Sequence, residues 1–197
     1  MRPPNGPSRQ VQTRGTDGPG GADVTLTLPH FPVRATTTPM SEVLGSALPT
    51  IQISDVTGRP SAIRTAVARG RVRVGEEAFQ QIQARTLAKG DVLTVAQVAG
   101  ILGAKQASRL LPLCQDVQLG AIDVTFEPDA SDASLVVRAF VKSHGTTGVG
   151  MEALTAVTLA ALTIVDMCRS VSREAEITEV RLVAKTGGAS GDYLRPR

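Results

Sequence analysis

Residues Gly145 to Arg169 read GTTGVGMEALTAVTLAALTIVDMCR, and they constrain what the chain can become more than any other stretch. A glycine-rich turn leads into a segment apolar on nearly every side, interrupted only by Glu152, Asp166 and a few threonines. A helix apolar all round belongs in a core, so the fold must cover most of its faces and its rare charges need a reason to be there. At ~100° per residue, the fourteen steps from Glu152 to Asp166 return both to within about 40° of one face. Arg169 follows Asp166 by three positions and is within its reach. Two readings follow. Periodicity alone favours a core helix whose charges mark its two ends; the sharper reading has one helix offering an acid near its start and an Asp/Arg pair near its end to a shared site. Met151–Cys168 is about long enough to span a bilayer, but the two acids inside it, and Ala and Thr in place of Leu and Phe, make it a core helix.

The rest of the chain has to supply that core. Residues 1–46 are rich in Pro, Gly, Thr and Ser without a sustained period, and MRPPNGPSRQVQTRGTDGPGG buries too little apolar surface to offset its ordering entropy. They are expected to be a disordered extension, with Val24–Leu28 as a candidate strand and Met40 as a candidate natural start, followed by one domain over 47–197. Ile51 to Val56 reads as a short strand or extended lead, Ile63–Val67 as a helical turn opened by Pro60 and Ser61, and Arg69–Val74 as a strand. Glu76–Ala88 is expected to be a helix with Phe79, Ile82 and Leu87 inward, stopped around Lys89-Gly90-Asp91. Thr94–Leu110 is expected to be a second helix built on Val95, Val98, Ile101 and Leu102, ended by Pro112. Ile122–Glu127 and Leu135–Lys142 alternate as strands around the turn-rich PDASDAS, an antiparallel hairpin. A last strand covers Ile177–Ala184. Antiparallel pairs with long helices on one face indicate an α+β fold.

Composition narrows the function. Net charge is +3 with dispersed basic residues, and the aromatics are four Phe and one Tyr, so neither a nucleic-acid surface nor a base-stacking platform is indicated. Two histidines, His30 and His144, argue against zinc. Cys114 and Cys168 lack metal-ligand spacing; they read as one disulfide or, preferably, as reduced buried thiols of a cytoplasmic protein. Neither a Walker loop nor a dinucleotide fingerprint occurs. Lys89 projects from a turn beside a helix end. Lys185-Thr186-Gly187-Gly188 ends a strand with a cation and backbone amides, a candidate anion nest or plain flexibility. His144 is a surface residue or a proton-transfer group. Two lysines, an acid and an Asp/Arg pair near glycine turns suit a polyphosphate-bearing substrate undergoing acid–base rearrangement.

KGDVLTVAQVAGILGAKQ, LLPLC, the Gly145–Arg169 stretch and RLVAKTGGASGDY together resemble the cyclic pyranopterin monophosphate synthase family, the second step of molybdenum-cofactor biosynthesis, over about Ile51 to Tyr193. The resemblance implies a ferredoxin-like α+β fold, with an antiparallel sheet and helices packed on one face. It also implies a homohexamer built as a trimer of dimers with active sites at the dimer interface, and a substrate derived from a purine nucleotide. In that reaction a GTP whose ribose is already joined to the purine is opened, rebuilt into a pyranopterin, closed to a cyclic phosphate and relieved of pyrophosphate. No cofactor is implied beyond a magnesium ion accompanying the triphosphate, and neither membrane nor nucleic acid is a partner. Lys89, Glu152, Asp166 and Lys185 stand where the family has its KGD lysine, the second glutamate of GVEMEA, the aspartate of YDMCK and the first lysine of AKSGGKSGD. The resemblance gives Lys89, Asp166, Arg169 and Glu152 catalytic roles and sets Lys185, Cys114, Gln115, His144, Gly150 and Met151 around the substrate.

The chain departs from the family pattern at charged positions. Gln115 replaces the LCHP histidine, Gly150 the first glutamate of GVEMEA, and Arg169 the DMCK lysine, while Thr146 and Ala189 replace further lysines. Arginine stays cationic but does not release a proton near neutrality. Three expectations follow: the family lyase, a diverged paralogue acting on a related cyclised nucleotide, or a non-catalytic partner subunit of a true synthase.

Overall fold

The computed structural model describes residues 51–188 and 190–196 of the chain. The expected extension, the candidate strand Val24–Leu28, the candidate start Met40, His30 and Ala189 lie outside the described residues.

The sheet is organised on β1 (Ala62–Arg73), in which Arg64, Ala66, Ala68, Gly70 and Val72 turn inward at every second position. This corrects the helical turn expected over Ile63–Val67. Pro60 and Ser61 resemble a helix start, but β1 is bonded along its length to β3 (Ser134–Gly145) on one side and β4 (Glu176–Thr186) on the other. That pairing outweighs the local signal. β2 (Leu119–Asp129) forms the expected hairpin with β3, and a short β5 (Tyr193–Leu194), not expected from the sequence, pairs with β4. The order β2-β3-β1-β4-β5 is antiparallel throughout.

The helices lie on one face, giving the α+β architecture anticipated. α1 (Glu76–Ala84) ends at Arg85, which takes the left-handed conformation (φ 56°), earlier than the stop expected at Gly90. Phe79, Ile82 and Leu87 are buried as expected. α2 (Val92–Lys105) starts at Asp91, whose carboxylate accepts from the Leu93 and Thr94 amides at 3.1 and 3.3 Å. A break at Gln106 separates it from α3 (Ala107–Leu110), so the single helix expected to Leu110 is two.

The inward residues of α2 also differ from expectation. Val95, Val98 and Leu102 are exposed, and Ala96, Gly100, Gly103 and Ala104 face the core. The cause is close approach to α4 (Gly150–Cys168): a Cβ added to Gly100 would meet the Ala156 carbonyl oxygen at 3.0 Å. Only small residues fit that crossing. On its other side α4 lies across β1, where Val157 meets Gly70, and Ala153, Ala156, Val157, Ala160, Ala161 and Ile164 are fully buried along the helix. By length and composition α4 would cross a membrane; here it is the core helix that the first reading anticipated.

Candidate functional site

At its amino end α4 opens onto a recess of about 310 Å3 whose walls carry Arg59, Arg64 and Lys185 and, among the described residues, no carboxylate. Val149 and Gly150 form part of the wall, and no side chain caps the first turn, so its free N–H groups add positive potential to the three cations. Arg64 is buried, and its guanidinium donates to the carbonyls of Pro60 (3.2 Å), Gly145 (3.2 Å) and Thr146 (3.5 Å). It thereby braces the turn that delivers α4. Lys185, near the end of β4, donates to Ser190 Oγ at 3.0 Å. Gly187 has φ 74°, and its N–H donates to Asp192 Oδ1 at 2.9 Å. The anion nest considered for Lys185–Gly188 therefore has one of its amides occupied by the chain's own carboxylate.

Arg59 and Arg64 escaped the sequence reading. A usable signal existed, since Arg64 is a charge at an inward position of an alternating strand, but reading Ile63–Val67 as a helical turn hid the alternation. Gly150 does line the recess, and a Cβ there would find only the Leu182 methyls, at 3.9 Å. Position 150 thus has room for a longer side chain.

In the first turn of α4, Glu152 is buried, with Oε1 accepting from Cys114 Sγ at 3.5 Å and Oε2 without a partner among the described residues. Burial raises the Glu152 carboxyl above its ordinary value. The Cys114 thiol is pushed up to about 11, first by burial and then by the Glu152 charge. Cys168, at the opposite end of the helix, is buried, and both thiols are free, in keeping with the reduced-thiol reading. Gln115 donates from Nε2 to the Ser54 carbonyl at 2.6 Å. Met151 is exposed, as is His144, whose Nδ1 lies 3.3 Å from Ser61 Oγ.

A second cluster forms at the carboxyl end of α4. Lys89 Nζ donates to the Asp166 carbonyl at 2.9 Å and to Asp166 Oδ2 at 3.2 Å, so one cation serves both a carbonyl of the last helical turn, which also accepts from the Arg169 amide at 3.4 Å, and a carboxylate. The Asp166/Arg169 pair expected from spacing does not form; Asp166 takes Lys89, and Arg169 is exposed at the helix end. Fourteen residues at ~1.5 Å each put Glu152 and Asp166 about 21 Å apart along the axis. The sharper reading, one helix serving one site, is therefore not met within a single chain: Lys185, Gly150, Glu152, Cys114 and Gln115 gather at one end, Lys89, Asp166 and Arg169 at the other.

Residues 53–188 match the sequence model described as the MoaC family. The chain is 50% identical over 143 residues to the cyclic pyranopterin monophosphate synthase of Salinibacter ruber, covering 73% of this chain and 84% of that protein. It is likewise 50% identical over 143 residues to the enzyme of the same name from Chloroflexus aurantiacus (73% and 88%). It is 47% identical over 141 residues to molybdenum cofactor biosynthesis protein 1 of Mus musculus, spanning 72% of this chain and 22% of that longer protein.

Proposed function

From the premise that this chain belongs to the MoaC family, we propose that it is a lyase of molybdenum-cofactor biosynthesis that converts a cyclised GTP to cyclic pyranopterin monophosphate with release of pyrophosphate. The observation that carries this reading is the recess at the start of α4, which Arg59, Arg64 and Lys185 line together with Val149 and Gly150 and whose lining, among the described residues, includes no carboxylate. Such a wall suits a triphosphate and disfavours a neutral or cationic ligand. The reading includes a magnesium ion accompanying the triphosphate.

Phosphate anchoring does not open a purine; that needs groups able to give and take protons. Lys89 hydrogen-bonded to Asp166 supplies such a pair. At about 21 Å from Glu152 it serves the neighbouring recess of a second copy. A two-fold axis pairing the amino end of one α4 with the carboxyl end of the other builds two equivalent sites, each with anchoring residues from one chain and Lys89 and Asp166 from its partner. The exposed Val95, Val98, Leu102 and Leu162 on the helical layer provide apolar surface for association. Three such dimers make the proposed hexamer, in the cytoplasm, where free thiols persist.

A second reading has its own support. Gln115 spends its amide on Ser54, Gly150 brings no carboxylate, and Arg169 does not pair with Asp166. A paralogue that anchors a cyclised nucleotide and performs a shorter reaction fits those three facts. Purified protein given the cyclised nucleotide separates the readings. Pyrophosphate release at catalytic rates establishes the synthase. Tight binding without release, with turnover restored by Gln115→His, Gly150→Glu and Arg169→Lys together, establishes the paralogue. Absence of binding refutes both.

A further inference from the structure

Between Ile51 and Gly58, ahead of β1, the chain runs as a strap that ends one residue before Arg59 of the cation recess and lines a hollow of its own with Gln115 and Thr146. Among the described residues one hydrogen bond ties this strap to the body of the domain, from Gln115 Nε2 to the Ser54 carbonyl at 2.6 Å. Its remaining bonds are local: Asp55 accepts from Thr57, and the Arg59 amide donates to the Val56 carbonyl. The strap, Gln115 and Thr146 together line a second, open hollow of about 640 Å3 whose lining, among the described residues, holds no lysine or arginine. Thr146 also lines the recess, so a cationic compartment and an uncharged-to-acidic one are contiguous.

We propose that Gln115 is a positioning residue whose side-chain amide clasps the strap beside the recess, making it the wall that receives the uncharged ring of a nucleotide-derived ligand while the recess holds the phosphates. The proposal rests on the phosphate-binding reading of the recess. An amide suits the task because it donates to a carbonyl without carrying charge and holds the same bond across the pH range in which an imidazole would change its charge. Ile53 and Val56 offer apolar area to a flat ring, and Asp55 and Thr57 offer polar edges. With a single bond to the body, the strap's position depends on that clasp rather than on core packing.

Hydrogen exchange and calorimetry on the full chain test this. Gln115→Glu keeps the size and removes the donor, and Gln115→Ala removes the side chain. Both are expected to speed amide exchange over 51–58 while leaving α4 unchanged. Both should also weaken GTP binding by about five- to tenfold, the factor one ordinary hydrogen bond carries, while inorganic pyrophosphate stays within about twofold. Unchanged exchange over the strap, or equal losses for GTP and pyrophosphate, overturns the proposal. A wild-type protein that binds neither ligand refutes the phosphate reading of the recess, and the exchange comparison then decides the clasp by itself.

Discussion

The seat of α4 on the sheet depends on Gly70, and replacing that glycine tests whether packing there sets the position of both ends of the site. A Cβ at position 70 would stand 2.5 Å from Val157 Cγ1 and 3.1 Å from the Glu179 carbonyl oxygen, whereas carbon–carbon contact is comfortable at about 3.5–4.0 Å. Gly70→Ala therefore has to push the helix and strand apart by about 1 Å, an overpacking cost of about 1–3 kcal/mol. Removing a strand glycine returns about 0.5–1 kcal/mol, leaving a net loss of about 1–2 kcal/mol. Val157→Ala deletes two fully buried methyl groups and costs about 2 kcal/mol or slightly more with its cavity. In the double variant the new methyl occupies the vacated space, so the combined loss should fall short of the sum by at least about 1 kcal/mol. Denaturant unfolding of all four proteins at one fixed concentration measures this coupling. Additivity within about 0.5 kcal/mol would show that Gly70 is not what seats α4.

Three further outcomes are expected. Glu152 is raised by burial, so between the ordinary 4.5 and its higher native value the folded state holds a proton that the unfolded chain has lost. Stability then falls as pH rises through that window, and the advantage of Glu152→Gln over wild type should grow as pH is raised above the ordinary 4.5 in thermal melts; a flat difference refutes the assignment. Lys89→Ala breaks a half-exposed pair and should cost below about 1 kcal/mol in unfolding yet abolish turnover of the cyclised nucleotide, and retained turnover would remove Lys89 from the chemistry. Gly187→Ala places a Cβ 2.1 Å from the Ile63 carbonyl oxygen at positive φ, so the Lys185 loop must move; pyrophosphate affinity by calorimetry should drop while α4 keeps its exchange protection.

How far the sequence reaches is clearest residue by residue. The hairpin of β2 and β3, the last strand and the burial of α4 were all legible, because alternation and an all-round apolar helix are local patterns tied to burial. So were Lys89, Glu152, Asp166 and Lys185 as charges lying close to structural breaks. The strand at Ile63–Val67 was not legible, since its state depends on two neighbouring strands distant in the chain. Nor was the inward face of α2, where the closeness of a second helix selects Gly100 and Gly103 over Val95 and Leu102.

Angle along a helix is written in the spacing of residues, and by that measure Glu152 and Asp166 share a side. Whether they share a site depends on distance and on what else arrives. The rise of about 1.5 Å per residue separates them, Cys114 covers one and Lys89 takes the other. Residue types and their spacing determined the kind of chemistry this chain can hold and set Glu152 and Asp166 at two ends of one helix; long-range packing decided that Cys114 meets the one and Lys89 the other.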